Sequence, residues 1–298
     1  MVLFRGMVAP VLALSCIVLP CGCAREAGAS DGAPPGRPCV YVSIPPQAWL
    51  VRELSCGRVD VEVLLPDGRD PHVFEPSPRQ TAALSEASAY LLMGLPFETH
   101  VRKIVPPRTP FFFDLSEGGG AAGAGDATDP HLWLTPDGMR GMAERAAAAL
   151  DAVDPDGAEK RRAAFSDLSD RLGRMDAGFA ELFAPHAGKP LLVRHPAWAR
   201  FAARYGIRLL AIEEDGREAS MRRLVALVEE ARACGVKTVF SEPHSSRRAA
   251  EAVARQLGGT VEMADPLSGD WEENLRATAA AFAKALEDVK APGKEPEP

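Results

Sequence analysis

The sequence predicts an α/β protein with two parallel-sheet βα lobes joined by one long rigid backbone helix. Two alternating sets of short apolar runs and helical patterns flank residues 154–185, which argues for mainly parallel sheets with helices on their faces. Between the sets lies a single apolar seam of helical period, Phe165, Leu168, Leu172, Met175, Phe179 and Leu182, spaced 3, 4, 3, 4 and 3 residues apart. That spacing marks one face of a helix and reads as core packing.

Residues 7–22 (MVAPVLALSCIVLPCG) follow a lone Arg5 and are broken by Pro10 and Pro20. A run this short and interrupted does not span a bilayer comfortably, and a secretory signal fits it better. Gly22-Cys23 then leads into a polar, Gly/Ala/Pro-rich stretch, which resembles a bacterial lipoprotein signal with Cys23 acylated. Cys16 and Cys21 are rival acylation sites, and simple secretion is the alternative. Residues 24–38 are then a tether with a reach of roughly 20 Å as a flexible coil.

In the first lobe, 39–153, VYVSI (40–44), VDVEVLL (59–65), AYLLMG (89–94) and FFFDL (111–115) read as strands. PQAWLVREL (46–54) and SPRQTAALSEA (77–87) read as helices, the second opening with Ser before Pro. Residues 116–128, SEGGGAAGAGDAT, are a low-complexity loop. The linking helix is expected over 154–185, with Asp154 as cap, Pro155 at its first position and Pro185 at its end. About 30 residues make it roughly 45 Å long. In the second lobe, 186–289, strands are expected at 191–194, 209–212, 236–241 and 260–264. Helices are expected at 196–206, 220–235, 246–258 and 271–289. The tail 290–298, rich in Pro and charge, is expected to fray.

With 298 residues, 46% of them hydrophobic and 25% charged, the chain has an ordinary globular balance, so collagen-like, coiled-coil and wholly disordered readings are excluded. Its net charge is -7, and -8 once residues 1–22 are removed. No basic cluster offsets this, which argues against nucleic acid as a partner. Export leaves Cys39, Cys56 and Cys234. Cys39 opens a strand and Cys56 closes the following helix, so a disulfide between them is geometrically possible in an oxidising compartment, the alternative being idle or buried thiols. No P-loop, HExxH or Ser/His/Asp arrangement stands out.

Of six histidines, His72 and His131 occur in the same tripeptide, Asp-Pro-His. His72 lies a few residues beyond a strand, His195 directly follows LLVR and Asp265 directly follows TVEMA. Ligands of open α/β sheets bind outside the carboxyl ends of the strands. Three imidazoles and a carboxylate form a tetrahedral set that zinc accepts, whereas manganese favours more oxygen. Asp70, Asp129 and Glu213 are candidates to orient the imidazoles. His244, after VKTVFS, is a rival ligand; His100 and His186 read as surface or core-edge residues.

The segments VSIPPQAWLVREL, LLPDGRDPHVFEPSPRQ, DPHLWLTP, VRHPAWARFAARYGI, VFSEPHSSRRAAEAVARQLG and DPLSGDWEENLRA appear in this order between Val40 and Leu286. They resemble the metal-binding solute-binding proteins of bacterial zinc and manganese ABC transporters. The resemblance implies metal held between two lobes, with His72, His131 and His195 on the nitrogen positions and Asp265 on the carboxylate position. Manganese members tend to carry a carboxylate where His195 stands, so the zinc branch is implied. It further implies Zn(II) as cargo, a membrane permease with a separate ATPase as partners, a periplasmic or cell-surface location and a monomer. The chain departs from many zinc members in lacking histidine in the stretch before His131, and in having His244. Other readings are an Mn(II) or Fe(II) carrier, a zinc hydrolase with a carboxylate base, and a surface adhesion protein.

Overall fold

The computed structural model describes residues 36–105, 112–116, 129–214 and 217–292. The expectations for the signal segment, Cys23, nearly all of the tether, the loop 117–128 and the last six residues lie outside this set.

In the first lobe, β1 (Cys39–Val42), α1 (Pro45–Ser55), β2 (Asp60–Val63), α2 (Pro78–Ser85), β3 (Ala89–Leu92), α3 (Pro96–Ile104) and β4 (Phe112–Asp114) form a parallel sheet of order β2-β1-β3-β4 with its helices. All four residues of β3 are buried, as a central parallel strand covered on both faces requires. Ser77 caps α2 as its sequence suggests, accepting the Gln80 N–H at 3.3 Å, with the Gln80 side chain closing the capping box. The thiols of Cys39, Cys56 and Cys234 are all unbridged, so of the two readings left open the unpaired thiols hold and the disulfide does not. The reason is local: Cys56 ends α1 in a left-handed turn (φ 51°), and its Sγ turns to the Lys160 carbonyl at 3.9 Å.

Two helices escape the sequence reading, α3 and α4 (Pro136–Val153). Helix α4 packs its small face, Ala143, Ala146 and Ala149, into the core beside Met139, Met142 and Leu150. Thr135 caps it, accepting the Gly138 N–H at 3.1 Å. A Cβ on Gly138 would stand 2.1 Å from the Leu132 carbonyl oxygen, so this position admits only glycine.

The linking helix, α5 (Ala158–Phe183), is shorter than its expected span, because Pro155–Gly157 and Ala184–His186 are 3-10 turns. Asp154 does not cap it. Its carboxylate instead takes Arg58 in a bidentate pair at 2.6 and 2.7 Å. Leu168, Leu172, Met175 and Phe179 are buried, but Leu182 is exposed and Phe183 is buried in its place. A 3.6-residue helix drifts about 20° per heptad against a 3.5-residue seam, so the buried stripe slips by one residue over this length.

The second lobe contains β5 (Pro190–Val193), α6 (Ala199–Arg204), β6 (Arg208–Ala211), α7 (Met221–Ala233), β9 (Thr238–Ser241), α8 (Arg248–Leu257), β10 (Thr260–Met263) and α9 (Trp271–Leu286). Its parallel sheet has the order β10-β9-β5-β6. A short antiparallel hairpin, β7 (Glu213–Glu214) with β8 (Arg217–Glu218), follows β6. Strand order reverses between β1 and β3 in one sheet and between β5 and β9 in the other, and such switch points open crevices at the carboxyl ends of strands. Among the described residues no helix is long and apolar enough to cross a membrane.

Direct bonds tie the lobes together. The Trp133 indole N–H donates to the Pro266 carbonyl at 2.6 Å, and the Trp271 indole N–H donates to the Trp133 carbonyl at 2.7 Å. From α5, Arg171 grips Glu53 of α1 at 2.6 Å and also Glu272 of α9.

At the first lobe's switch point Glu98 is buried. It accepts the Ser43 hydroxyl and the backbone N–H groups of Met93 (2.8 Å), Gly94 (2.7 Å) and Leu95 (3.0 Å). Burial outweighs these donors and pushes its pKa up to about 7. Between about pH 4.5 and 7 the folded state therefore keeps a proton that the unfolded chain has lost, and stability falls as pH rises through that window. The expected fall from this group is about 3 kcal/mol. Denaturant titrations between pH 4.5 and 8 should show that slope in the wild type and not in Glu98→Gln.

Candidate metal centre

The three candidate histidines converge although 123 residues separate the first from the last. One ring nitrogen from each of His72, His131 and His195 lies within 4.8 Å of the other two. Ring centroids are 4.8 Å apart for His72–His195, 5.5 Å for His131–His195 and 6.4 Å for His72–His131.

His195 follows β5 with one residue between, His72 sits in a turn of the loop after β2, and His131 opens the 3-10 turn that precedes α4. In Asp70-Pro71-His72 and Asp129-Pro130-His131, the Asp Oδ1 accepts the backbone N–H of the histidine at 2.9 and 3.0 Å. Such Asx turns close on the residue two places on, and the proline between stiffens them. The same turn recurs at Asp265-Pro266-Leu267, where Asp265 Oδ1 accepts the Leu267 N–H at 2.9 Å. Neither proline adjacency nor Asp-Pro alone marks the site, since Asp154-Pro155 begins a 3-10 turn elsewhere; the repeated Asp-Pro-His tripeptide does.

Carboxylates orient two of the imidazoles. His131 Nδ1 meets Asp129 Oδ1 at 2.7 Å, and His195 Nδ1 meets Glu213 Oε2 at 3.0 Å. A proton held on Nδ1 leaves Nε2 of each ring as the free electron-pair donor. His195 Nε2 is buried and has no hydrogen-bond partner, a costly arrangement for a polar atom. Asp129 and Glu213 both stay below the usual carboxylate range; burial opposes this, and their hydrogen bonds to His131 and His195 and the nearby Arg200 and Arg194 prevail. His72 differs: its residue is exposed, and Asp70 fixes its backbone but not its ring. Although much of the residue reaches solvent, partial desolvation of the ring where it faces the cleft, followed by the facing His195, lowers its pKa and so favours the neutral form.

Asp265 stands outside the three-histidine cluster. It lines a neighbouring interlobe cavity of about 220 Å³ with Arg69, Asp67 and His244. Its backbone is fixed on both sides, since its carbonyl accepts the Asn274 amide at 2.7 Å and Pro266 is the partner of Trp133. What sequence reasoning missed is the support of the site: Trp133 and Trp271 across the lobes, and Arg194 beneath Glu213.

Comparison with known proteins gives this arrangement its setting. Residues 40–285 match the family model described as ZnuA, zinc-uptake complex component A, periplasmic. A chain solved as "Crystal structure of ZnuA" is 34% identical, superposes with a TM-score of 0.78, and is matched over 84% of this chain and 99% of its own. A protein of Chlamydia muridarum named as a candidate metal-binding protein is 29% identical over 82% of this chain and 90% of its own. Zinc-binding protein AdcA of Streptococcus pyogenes serotype M6 is 25% identical over 78% of this chain, which spans only 51% of AdcA's length. The matched family is the periplasmic component of zinc-uptake complexes, and the hydrolase reading falls with that membership. The chain belongs to the zinc-uptake component A family, the extracytoplasmic binding proteins that capture metal for ABC transporters, and it is not an enzyme.

Proposed function

We propose that the protein captures Zn(II) outside the cytoplasmic membrane, holds it with His72, His131, His195 and Asp265, and hands it to a permease driven by a separate ATPase. The observation that carries this reading is the buried, unpartnered Nε2 of His195, in a ring whose other nitrogen is held by Glu213. Three neutral imidazoles favour zinc over manganese, which suits oxygen-richer sets. Nitrogens about 2.0–2.1 Å from a tetrahedral ion lie roughly 3.3 Å apart, so the cluster tightens on loading. His72, whose ring no carboxylate holds, is the ligand with most freedom to close that gap. Cys23 carries the lipid that anchors the protein, which acts as a monomer.

Calorimetry of the metal-free protein tests the cargo. The expected result is Zn(II) bound more tightly than Mn(II) by roughly 100-fold or more, in line with the affinity order for nitrogen-rich sites. A preference for Mn(II) overturns the zinc reading.

A further inference from the structure

Arg194 and Glu242 are the first residues past β5 and β9, so they meet at the second lobe's switch point. The Arg194 N–H donates to the Phe240 carbonyl at 2.7 Å, and its own carbonyl accepts the Glu213 N–H at 2.9 Å. Its guanidinium forks between two carboxylates. Nη2 donates to Glu213 Oε1, and Nη1 donates to Glu242 Oε2 at 3.2 Å. The other oxygen of Glu213 meets His195 Nδ1 at 3.0 Å. Glu242 is 2% exposed, and the side chains of Glu213, His195 and Arg194 are 11–16% exposed. One continuous line of charge-assisted bonds thus runs from the buried end of β9 to a candidate ligand.

Glu213 begins a hairpin whose strands pair over only two residues, a weak hold for a side chain that must fix a ring. Burying Glu242 for stability alone is a poor bargain, because a buried ion pair gains little over well-packed apolar groups. The fork supplies what the hairpin lacks. Only a planar guanidinium can grip both carboxylates at fixed angles; a lysine ammonium is a point charge without that geometry.

We propose that Glu242 and Arg194 are positioning residues for metal capture: they clamp Glu213 so that His195 presents Nε2 to the cleft. The proposal rests on the zinc reading above. A double-mutant cycle tests it. Glu242→Gln should weaken Zn(II) binding about 10-fold, the lower end of what outer partners of metal ligands contribute. Arg194→Lys should do the same despite keeping the charge. In a Glu213→Gln background both effects should shrink to less than about 2-fold, since Glu213 is the link through which they act. The d–d spectrum of the Co(II) form should shift in Glu242→Gln. In the metal-free protein, the His195 Nδ1–H resonance should move in Glu242→Gln and be lost in Glu213→Gln.

Unchanged zinc affinity with an unchanged Co(II) spectrum in Glu242→Gln overturns the proposal, as does an equal loss in both backgrounds. Should Glu242→Gln fail to fold, Arg194→Lys, at a less buried side chain, carries the same cycle. A wild type that binds no zinc would defeat the zinc reading instead, and the metal-free His195 resonance would still decide the clamp.

Discussion

His195→Ala loses zinc affinity by on the order of 10²–10³-fold. Tetrahedral zinc sites of protein ligands bind with roughly 10–16 kcal/mol, so each of four ligands carries about 3–4 kcal/mol. At 1.4 kcal/mol per tenfold, that is the stated loss. The variant should still fold, because Glu213 loses the His195 partner of its Oε2 but keeps its Oε1 bond to Arg194, and the Nε2 removed with the ring was itself unpartnered. Competition with a chelating dye at pH 7.5 measures the change. Glu213→Gln, which leaves the imidazole but frees it to turn, should cost about 10–100-fold. Both proteins should release metal on acidification, because protonated imidazole cannot coordinate. Tight binding retained in His195→Ala would remove this residue from the ligand set.

Trp133→Ala should be the most damaging change to the fold that also disturbs the site. The indole is 1% exposed, and its ring centroid is 5.2 Å from that of His131. Deleting a buried indole costs about 3–5 kcal/mol. For a folded body of this size that lowers Tm by roughly 6–20 °C. Trp133→Phe separates packing from bonding: it keeps most of the apolar volume and loses the N–H to Pro266. Leaving that carbonyl unpaired costs about 1–3 kcal/mol. Because the bond joins the turn after His131 to the turn after Asp265, zinc affinity should fall in Trp133→Phe as well. Thermal unfolding of both variants, with zinc titrations on the folded protein, gives the two readouts. An unchanged Tm in Trp133→Phe would show that the interlobe bond carries no weight.

The strands were readable because parallel strands buried on both faces become short apolar runs, as in β3 and β5. Helix α4 was not, because three of its seven buried residues are alanines, which contrast little with the alanine-rich remainder of the helix. Its Thr135-Pro136 start was nonetheless a usable sign. Helix α3 hid for another reason, since its inward face includes the charged Glu98. Buried ionisable side chains are the general blind spot: residue type alone would put Glu98, Arg161 and Glu242 at the surface, and only their partners from other segments explain their burial. At the metal centre the repeated Asp-Pro-His tripeptide and the strand-end positions pointed to three histidines that do meet. Asp265 stands outside that cluster, and no local pattern in the sequence encodes this.

The paired indole bonds between the lobes bear on how such a carrier unloads. A cradle stitched shut from both sides has already spent its ordering entropy during folding, and any wide gaping must first break both bonds. The exposed turn that bears His72 and Val73 is the part of the site that those bonds do not hold.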